Sequence, residues 1–442
     1  MKFGGTSVKD FPAMKNIANI IKCNSHTKKI IVISAIAQGT NMLAEIGKLS
    51  SFGKYDNAKL VIEKFISRHI EIASQIISKE NQKKLLSEIE KGKNKLLKIS
   101  YGISLLNELT PKTLDLLYSF GETFSSLCVS FILEDIGLKN LWIDATKIII
   151  TDSNHNFASP NLNIVEKKLK RVFSKNKKTN VFVTQGFIGA SENGAITTMG
   201  RESSDFSAAV FGCSISAKEI QIWTDVDGIF TADPTVVKNA KLISEISFDE
   251  AFHLTESGAK VLHSKTMIPA KEKNIPIRVL NSKNLKSKGS LVFNFERKEK
   301  SITGIAWQNS ITMINFIFSD KENYHLNFEI LNTILGENKT IPLYVFHNTQ
   351  NTTLIIKNSF FNNNFLVELS RYGKIKLFEN KSIISIVGNN LFAEKKIISS
   401  FTKVFQNKNY FLNIESSKSI AIIDENDVSK VANTIHSLLY SK

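Results

Sequence analysis

The sequence has little cysteine. Cys23, Cys128 and Cys213 are far apart in 442 residues and form no CxxC pair, which argues against a disulfide framework or a cysteine-based zinc site. The start of the chain lacks the charged, apolar and small-residue segments of a signal peptide. No apolar run approaches the roughly 18–20 residues needed to cross a membrane. We therefore expect a cytoplasmic protein without a membrane partner.

Acidic residues are also scarce relative to basic ones. The sequence has 57 Lys and Arg against 41 Asp and Glu, a formal net charge of +16. A polyanionic partner is one explanation of this charge. However, basic residues such as Lys91, Lys93 and Lys95 are spread along a helical stretch without interleaved aromatic residues. We therefore expect a lysine-rich surface and no nucleic-acid partner.

The length and the apolar pattern indicate several domains and an α/β beginning. A chain of 442 residues is too long for one ordinary core, so two to four domains are expected. The first fifty residues suggest a strand at 1–3, a helix through Met14 and Ile21, and a buried parallel strand at 30–33. Residues from about 55 to 137 are expected to be helical throughout, and Thr110-Pro111 provides an N-cap followed by proline. The first helix of this insert is expected to have an apolar face formed by Leu60, Ile62, Phe65, Ile66, Ile70 and Ile72.

The alternation of strands and helices returns after the helical insert. Residues 181–187 indicate a strand that ends in a loop, residues 203–211 a helix, and residues 220–224 the next strand. This alternation predicts an α/β fold with a mostly parallel central sheet. Ligands of such a sheet lie beyond the carboxyl ends of its strands.

The pattern changes near residue 298, where the charged run 296–300 is a candidate linker. Two stretches of roughly seventy residues follow with a similar order of elements. The first offers strands at 311–317, 342–347 and 352–357 and a helix near 326–335. The second offers strands at 383–387, 410–415 and 419–423 and helices at 393–405 and 428–439. We therefore predict a first, α/β domain at 1–295 followed by two small α+β modules at 301–375 and 380–442.

A strand followed by glycines and hydroxyl residues opens the chain, with the sequence KFGGTS at residues 2–7. Glycines at a strand end allow backbone N–H groups to approach phosphate oxygens, and the following helix N-terminus favours anions. A lysine just before them can neutralise a phosphoryl group during transfer. The motif is not a P-loop, because GxxxxGK[ST] is absent, and similar sequences also form turns without a ligand.

Further blocks follow in an order that resembles aspartate kinases, a branch of the amino-acid kinase superfamily. The blocks are KFGGTSV (2–8), VISA (32–35) with Thr40-Asn41, FGET (120–123), QGFIG (185–189), TTMGRESSD (197–205), IWTDVDGI (222–229) with Asp233-Pro234, and GAKVLH (258–263). The resemblance covers residues 1 to about 295. It implies an amino-acid-kinase sandwich with a helical insert, followed by two ACT-like domains. It also implies transfer of the ATP γ-phosphate to the side-chain carboxylate of L-aspartate, the first step towards lysine, threonine, methionine and diaminopimelate.

Two of these blocks have the chemistry that aspartate requires. Arg201 can bind a carboxylate through two hydrogen bonds, and Asp205, one helical turn later, can receive the ammonium. The alternative is a surface ion pair for Arg201 and Asp205, and a solvated helical side chain for Glu122. The resemblance implies a catalytic set of Lys2, Gly4, Gly5 and Asp205. The substrate-binding set that it implies is Ser34, Thr40, Glu122, Arg201, Glu202, Ser203, Ser204 and Asp205.

The resemblance also implies an ATP site. Its residues are Lys2, Phe3, Gly4, Gly5, Thr224, Asp225, Phe230, Lys260 and Val261. Mg²⁺ is expected to be held mainly by the phosphates, with no metal ligands assigned to the protein. His263 is expected to be structural, since the carboxylate nucleophile is already ionised at neutral pH and requires no base.

The chain departs from the family pattern in three places. The first strand is a stub of three residues, which we expect to be a poorly anchored edge. Phe230 stands where the family commonly has tyrosine, and Thr235 where arginine often follows Asp-Pro, so ATP binding is expected to be weaker. Residues 319–325 lack the small-residue pattern with which ACT domains hold an amino acid. The family implies a homodimer through these domains, with lysine or threonine as a possible effector.

Two alternatives remain open at this point. One is an enzyme of the same superfamily with another acceptor, such as glutamate or carbamate. The Arg201…Asp205 block and the helical insert argue against it. The other is an ACT-bearing protein of low activity that senses amino acids, which the altered ATP site would favour.

Overall fold

The computed structural model describes the whole chain except residues 24–27, 201–202, 260–261, 263, 296–300, 321–322, 348–350, 392–394, 396, 398, 401–403, 405–411 and 441–442. The chain divides into two compact units. The first consists of Met1–Ile229, Leu242–Phe248 and Val261–Phe295. The second consists of Phe230–Lys241, Asp249–Lys260 and Glu296–Lys442.

An eight-stranded sheet forms the centre of the first unit. The strands up to residue 293 are β1 (Lys2–Phe3), β2 (Lys29–Ile33), β3 (Leu141–Ile143), β4 (Ile150–Thr151), β5 (Val181–Gln185), β6 (Ile188–Ser191), β7 (Ile196–Thr198), β8 (Ile220–Thr224), β9 (Ile229–Phe230), β10 (Leu242–Ile243), β11 (Glu245–Ser247), β12 (Ile277–Asn281) and β13 (Ser290–Phe293). The order in the large sheet is β11-β13-β12-β8-β1-β2-β5-β3. Strand β13 runs antiparallel to β12, and the other described pairs are parallel. The predicted mostly parallel sheet is confirmed.

The first strand lies in the middle of this sheet. Lys2 pairs in parallel with Val32 of β2 on one side and with Ile222 of β8 on the other. Phe3 is fully buried and stacks on Trp223, with ring centroids 6.0 Å apart. The expectation of a poorly anchored edge strand is therefore wrong. Two neighbouring strands hold β1, although it is only two residues long.

Helices cover the large sheet and form the insert. The helices up to residue 272 are α1 (Phe11–Lys22), α2 (Gly39–Ser51), α3 (Tyr55–Ser74), α4 (Lys79–Leu106), α5 (Pro111–Asp135), α6 (Leu162–Lys175), α7 (Ser204–Ser214), α8 (Phe248–Glu256) and α9 (Ser264–Glu272). The predicted insert corresponds to α3, α4 and α5. Ile62 and Phe65 of α3 are buried as predicted, but Leu60 is 71% exposed and Ile70 is 40% exposed. The buried face of α3 is therefore narrower than the predicted one.

Helix α5 is a long apolar element. Thr110 caps it, since its Oγ1 accepts a hydrogen bond of 3.1 Å from the N–H of Thr113, and Pro111 follows as predicted. By length and composition alone this helix could cross a membrane, contrary to the expectation that no run was long enough. However, 72% of its apolar window is buried inside the protein. Leu117 and Phe124 belong to the core of the first unit, so α5 is a core helix there.

The second unit contains one six-stranded sheet. Its strands are β14 (Ser301–Phe318), β15 (Pro342–His347), β16 (Thr352–Lys357), β17 (Gly373–Asn389), β18 (Leu412–Ile414) and β19 (Lys418–Asp424). Its described helices include α10 (Tyr324–Glu337), α11 (Asn363–Leu369) and α12 (Val428–Tyr440). The strand order is β15-β16-β14-β17-β19-β18, with antiparallel neighbours. These elements are compatible with the predicted ACT-like modules.

The two modules share the long strands β14 and β17. Residues 311–316 of β14 pair with β16, whereas residues 301–308 pair with the second half of β17, beside β19. The strand at 301–308 therefore lies next to the second module, although it precedes the first in sequence. The helix expected at 393–405 and the linker at 296–300 lie largely or wholly outside the described residues. The domain boundaries at 295, 301–375 and 380–442 stay predictions.

Candidate active site

A polar cavity of about 500 Å³ lies beyond the carboxyl ends of β1, β2 and β5 in the first unit. It brings together residues from four separate blocks of the sequence. Of the residues predicted from sequence, it is lined by Lys2, Gly5, Ser34, Thr40, Glu122, Ser204 and Asp205. Gln38 and Phe187 also line it and were not predicted. The location agrees with the rule that ligands of parallel sheets lie beyond their carboxyl ends.

A partly buried ion pair lies in this cavity. Lys2 Nζ is 2.7 Å from Asp205 Oδ1, and the two side chains are 13% and 15% exposed. Lys2 is on the central strand β1, and Asp205 is in the first turn of α7, where the helix dipole favours a negative charge. Asp205 was predicted to receive an ammonium group, and the structure pairs it with the ammonium of Lys2. Sequence spacing could not show this contact, because 203 residues separate the two.

The glycine turn after β1 allows a close approach of two backbone segments. A Cβ atom on Gly5 would lie 3.0 Å from the carbonyl oxygen of Ala35, so a side chain there would press on the neighbouring loop. Gly5 begins a 3-10 turn that ends at Val8. The N–H of Gly4 donates to the carbonyl oxygen of Trp223 at 3.3 Å, which continues the sheet. Of the two amides predicted to face phosphate, that of Gly4 is therefore already engaged.

Glu122 provides a buried acceptor in the wall of the cavity. It is only 3% exposed, so the alternative of a solvated helical glutamate is wrong. Its Oε1 accepts a hydrogen bond of 3.1 Å from the N–H of Ala35, whereas Oε2 has no hydrogen-bond partner among the described residues. Burial raises the pKa of this carboxyl to about 8, and the nearby charge of Lys2 opposes the rise. A cationic group entering the cavity would meet an unsatisfied oxygen.

The residue before Glu122 explains how α5 reaches this position. A Cβ atom on Gly121 would lie 2.8 Å from the Cβ of Ala35, a distance that real Cβ atoms do not show. Glycine therefore lets the helix backbone lie directly against the loop after β2. Without that close approach, the carboxylate of Glu122 could not accept the hydrogen bond from Ala35.

A residue of the helical insert holds the same loop from the other side. Arg68 on α3 donates from Nη1 to the carbonyl oxygen of Ala37 at 2.8 Å. Gln38 follows in the left-handed region with φ of 66°, and α2 begins at Gly39, next to Thr40. Arg68 could not be selected from the sequence, because an arginine on a helix is usually a solvated surface residue.

The start of α7 forms the opposite wall of the cavity. Ser203 is fully buried and donates from Oγ to the carbonyl oxygen of Gly200 at 2.5 Å, so it contacts backbone and does not line the cavity. A Cβ atom on Gly186 would lie 2.7 Å from the Cβ of Ser204, which shows how closely β5 and α7 approach. Arg201 and Glu202 lie outside the described residues, so their predicted roles stay predictions.

The predicted nucleotide residues follow neighbouring strand ends. Thr224 accepts hydrogen bonds through its carbonyl oxygen from the N–H and Oγ of Ser282, at 2.8 and 3.0 Å. Ser282 Oγ also lies 2.8 Å from Ser7 Oγ, which joins the glycine turn to the end of β8. Thr224 and Asp225 do not line the cavity. The side chain of Phe3 is in the core, so its predicted contact with ATP would have to come from its backbone, and this role stays a prediction.

The remaining nucleotide residues are not part of this geometry. Lys260, Val261 and His263 lie outside the described residues, and Phe230 is assigned to the second unit. In the part of the chain that the structure describes, no group of three or more His, Cys, Asp and Glu residues could hold a metal ion. Asp227 is instead bound by the amides of Asn281 and Asn284, at 2.8 and 3.1 Å.

Comparison with known proteins connects this geometry to a family. A model of the amino acid kinase family matches residues 1–281. Aspartokinase 2, chloroplastic, of Arabidopsis thaliana is 32% identical over an alignment of 411 residues, and the match covers 88% of this chain and 74% of the relative. Lysine-sensitive aspartokinase 3 of Escherichia coli is 28% identical over an alignment of 406 residues, and the match covers 88% of this chain and 87% of the relative.

A solved structure extends the similarity to the fold of the whole chain. The structure of E. coli aspartokinase III in complex with aspartate and ADP has a TM-score of 0.86 at 26% identity and covers 100% of this chain and 99% of its own. These similarities favour aspartate over glutamate or carbamate as the acceptor. The chain therefore belongs to the amino acid kinase family, in its aspartokinase branch, whose enzymes transfer phosphate from ATP to aspartate.

Proposed function

We propose that L-aspartate binds in the cavity beside Lys2 and Glu122, and that its β-carboxylate receives the γ-phosphate of ATP there. One observation carries this proposal. The cavity combines an ion pair between Lys2 and Asp205 with a buried glutamate whose second oxygen has no partner among the described residues. The E. coli relative was solved with aspartate and ADP, which supports the choice of ligands.

The side chains of the cavity match the three charged groups of aspartate. The ammonium group would bind Glu122 Oε2, since that oxygen is buried and has no partner among the described residues. The α-carboxylate would bind Arg201, through the two parallel hydrogen bonds that a guanidinium can donate. Ser34, Thr40 and Ser204 would donate further hydrogen bonds from the wall. The β-carboxylate would then be left to face the phosphate.

Phosphoryl transfer would require little covalent chemistry from the protein. A β-carboxylate oxygen attacks the γ-phosphorus, and the bond from that phosphorus to the bridging oxygen of ADP breaks, giving 4-phospho-L-aspartate and ADP. The carboxylate is already ionised, so no base has to remove a proton. Lys2 would offset the charge on the transferring group, and Asp205 would hold the Lys2 ammonium in place.

The ATP phosphates would bind at the turn that follows β1. Gly5 begins this turn, and Ser7 joins it to Ser282 and the end of β8. Thr224 and Asp225 would contact the nucleotide, and we propose that Phe230, Lys260 and Val261 complete its site. Mg²⁺ would be carried mainly by the phosphates and water, a mode of binding that suits this ion.

The second unit would serve regulation and assembly. The E. coli relative is named lysine-sensitive, which supports lysine, or else threonine, as an effector of the ACT-like modules. Strand β15 is at the edge of its sheet and carries Val345, which is 40% exposed. An exposed edge strand can pair with another chain, which supports a homodimer through this unit. The three widely spaced cysteines support a cytoplasmic location.

A substitution at Glu122 tests the assignment of the cavity. Above pH 8, where the Glu122 carboxyl is ionised, Glu122→Gln keeps the shape but removes the charge that would bind the substrate ammonium, so the KM for aspartate should rise about tenfold or more. The KM for ATP should change by less than about twofold. Both constants are measured by aspartate-dependent ADP release. Glu134→Gln, on an exposed part of α5, is the matched control and should change neither. An unchanged KM for aspartate in Glu122→Gln would show that aspartate binds elsewhere.

A further inference from the structure

We propose that Asp115, His155 and Thr198 form a positioning centre. This centre fixes the position of one wall of the aspartate cavity relative to the other. This inference rests on the proposed binding of aspartate in that cavity. The three residues lie in the first unit, outside the cavity lining, and the phosphoryl-transfer chemistry does not use them.

Asp115 is a fully buried carboxylate that holds two chain segments together. Its Oδ1 accepts a hydrogen bond of 2.5 Å from Thr198 Oγ1, at the end of β7. Its Oδ2 is 2.7 Å from His155 Nδ1. The N–H of Asn156 lies within 3.1–3.2 Å of both carboxylate oxygens. A buried carboxylate requires such donors, so this one fixes the loop around residue 155 against β7.

The helix that carries Asp115 also carries Glu122. Seven residues separate them on α5, about two helical turns, so both project from the same face of the helix. Glu122 lines the aspartate cavity, and Asp115 binds the segments behind it. One rigid helix therefore fixes the distance between an aspartate-binding group and the end of β7.

The end of β7 leads directly to the opposite wall. Met199, the next residue, donates from its N–H to the carbonyl oxygen of Phe187, and Phe187 lines the cavity. Gly200 accepts hydrogen bonds from the N–H and Oγ of Ser203, at 3.3 and 2.5 Å. Ser203 immediately precedes α7, whose first residues are Ser204 and Asp205. A shift of Thr198 would therefore be passed on to both Phe187 and the start of α7.

The loop held by Asp115 also packs on Gly200. Gly200 has φ of 99°, and a Cβ atom built on it would lie 3.7 Å from the carbonyl oxygen of Asn156 and from the ring of Phe157. Asn156 itself has φ of 69°, a conformation that costs energy for a residue other than glycine. The hydrogen bonds from His155 and Asn156 to Asp115 offset this cost. Without them, the loop would lose the conformation that supports Gly200.

Substitution at His155 separates positioning from simple structural support. His155→Ala removes one donor to Asp115, so the cavity wall should become less well placed and the KM for aspartate should rise about tenfold. His155→Asn places an amide N–H near the position of Nδ1, and it should restore the KM to within about threefold of wild type. The KM for ATP should change by less than about twofold in both variants of the full-length enzyme.

A matched substitution on the same helix controls for loss of stability. Asp135 of α5 accepts hydrogen bonds from the N–H groups of Ile77 and Ser78, at 3.0 and 2.7 Å, and does not line the cavity. Asp135→Asn should lower the melting temperature without changing either KM, whereas Asp115→Asn should raise the KM for aspartate. A rise in both KM values together, or a fall in melting temperature with no change in the KM for aspartate, would overturn the proposal.

The Glu122→Gln result separates the two possible failures. If Glu122→Gln raises the KM for aspartate and His155→Ala does not, the cavity binds aspartate but the positioning role is wrong. If neither variant changes the KM for aspartate, the assignment of the cavity itself is wrong.

Discussion

Glu122 illustrates how burial changes the chemistry of one residue. In the sequence, Glu122 looks like any other glutamate in a predicted helix. In the structure it is 3% exposed, and burial raises the pKa of its carboxyl to about 8. One oxygen is satisfied by Ala35, and the other has no hydrogen-bond partner among the described residues. Such a group binds a cation best when it is ionised, which gives aspartate binding a dependence on pH.

Aspartate affinity should therefore increase with pH below the pKa of Glu122. At lower pH the carboxyl is protonated, and the substrate ammonium would have to displace that proton. The KM for aspartate should fall by up to about tenfold per pH unit below about 8 and then level off. Initial rates at saturating ATP across this range measure it. Glu122→Gln should abolish the dependence, and a profile shared by both proteins would contradict the assignment.

The same pKa shift predicts an effect on stability. The ordinary pKa of a glutamate carboxyl is 4.5, so between about pH 4.5 and 8 the folded protein keeps a proton that the unfolded chain releases. The contribution of the Glu122 carboxyl to the free energy of unfolding is therefore largest at low pH, and it is lost as the pH rises towards 8. Glu122→Gln should be more stable than wild type above pH 8, by about 1–3 kcal/mol, and nearly equal to it near pH 5. Thermal or urea unfolding at both pH values tests this, with Glu45→Gln on the exposed face of α2 as control.

At the scale of elements, local sequence signals predicted many of the helices and strands. The remaining features depend on tertiary contacts. The cap at Thr110, the strand at 30–33 and the strands at 342–347 and 352–357 follow from capping chemistry and apolar patterns. The central position of β1 does not, because strand order depends on how helices cross over the sheet. The exposure of Leu60 likewise depends on which neighbours pack against α3.

The candidate site likewise contains residues that the sequence predicts and contacts that it does not. Lys2, Glu122 and Asp205 could be selected from motifs, since each block carries groups suited to phosphate or to aspartate. The pairing of Asp205 with Lys2 could not be predicted, because it depends on β1 and α7 meeting in space. Arg68 lacked a sequence signal, and Phe187 lies in the QGFIG block but carries no polar group that would mark it as a site residue.

The approach of α5 to the loop after β2 can be tested with one methyl group. Gly121→Ala would place its Cβ 2.8 Å from that of Ala35, so the loop or the helix must move. We expect a loss of about 1–3 kcal/mol in stability and a higher KM for aspartate. Gly102→Ala in α4 is the control, since no atom lies within 4 Å of its Cβ, and it should stabilise the helix by about 0.5–1 kcal/mol. Equal effects of the two substitutions would contradict the role given to Gly121.

For the whole molecule, the division into two units concerns the residues proposed for ATP. The cavity proposed for aspartate is built from the first unit alone, whereas Phe230 belongs to a segment assigned to the second. Within the second unit, Thr231 Oγ1 lies 2.9 Å from His436 Nε2 of α12, and Asn433 donates to the carbonyl oxygen of Val236 at 3.0 Å. A change at α12 would therefore reach Phe230, the neighbour of Thr231 in the chain.

An effector of the second unit should thus act mainly on ATP. Lysine or threonine, if it inhibits, should raise the KM for ATP more than the KM for aspartate, because the second unit contains Phe230 and not the aspartate cavity. Initial rates with each amino acid, with both substrates varied in turn, measure this. Inhibition that only competes with aspartate would indicate binding in the cavity and would contradict the assignment.

Turnover by Lys2→Ala tests the central claim most directly. Lys2 lies between the glycine turn and Asp205, and we propose that it offsets charge on the transferring phosphoryl group. Formation of aspartyl hydroxamate at saturating ATP and aspartate should fall by about 10²–10³-fold, with a much smaller change in aspartate affinity. Lys9→Ala, at an exposed lysine 3.6 Å from Asp10, should retain normal turnover. Unchanged hydroxamate formation in Lys2→Ala would show that phosphate is not transferred at this site.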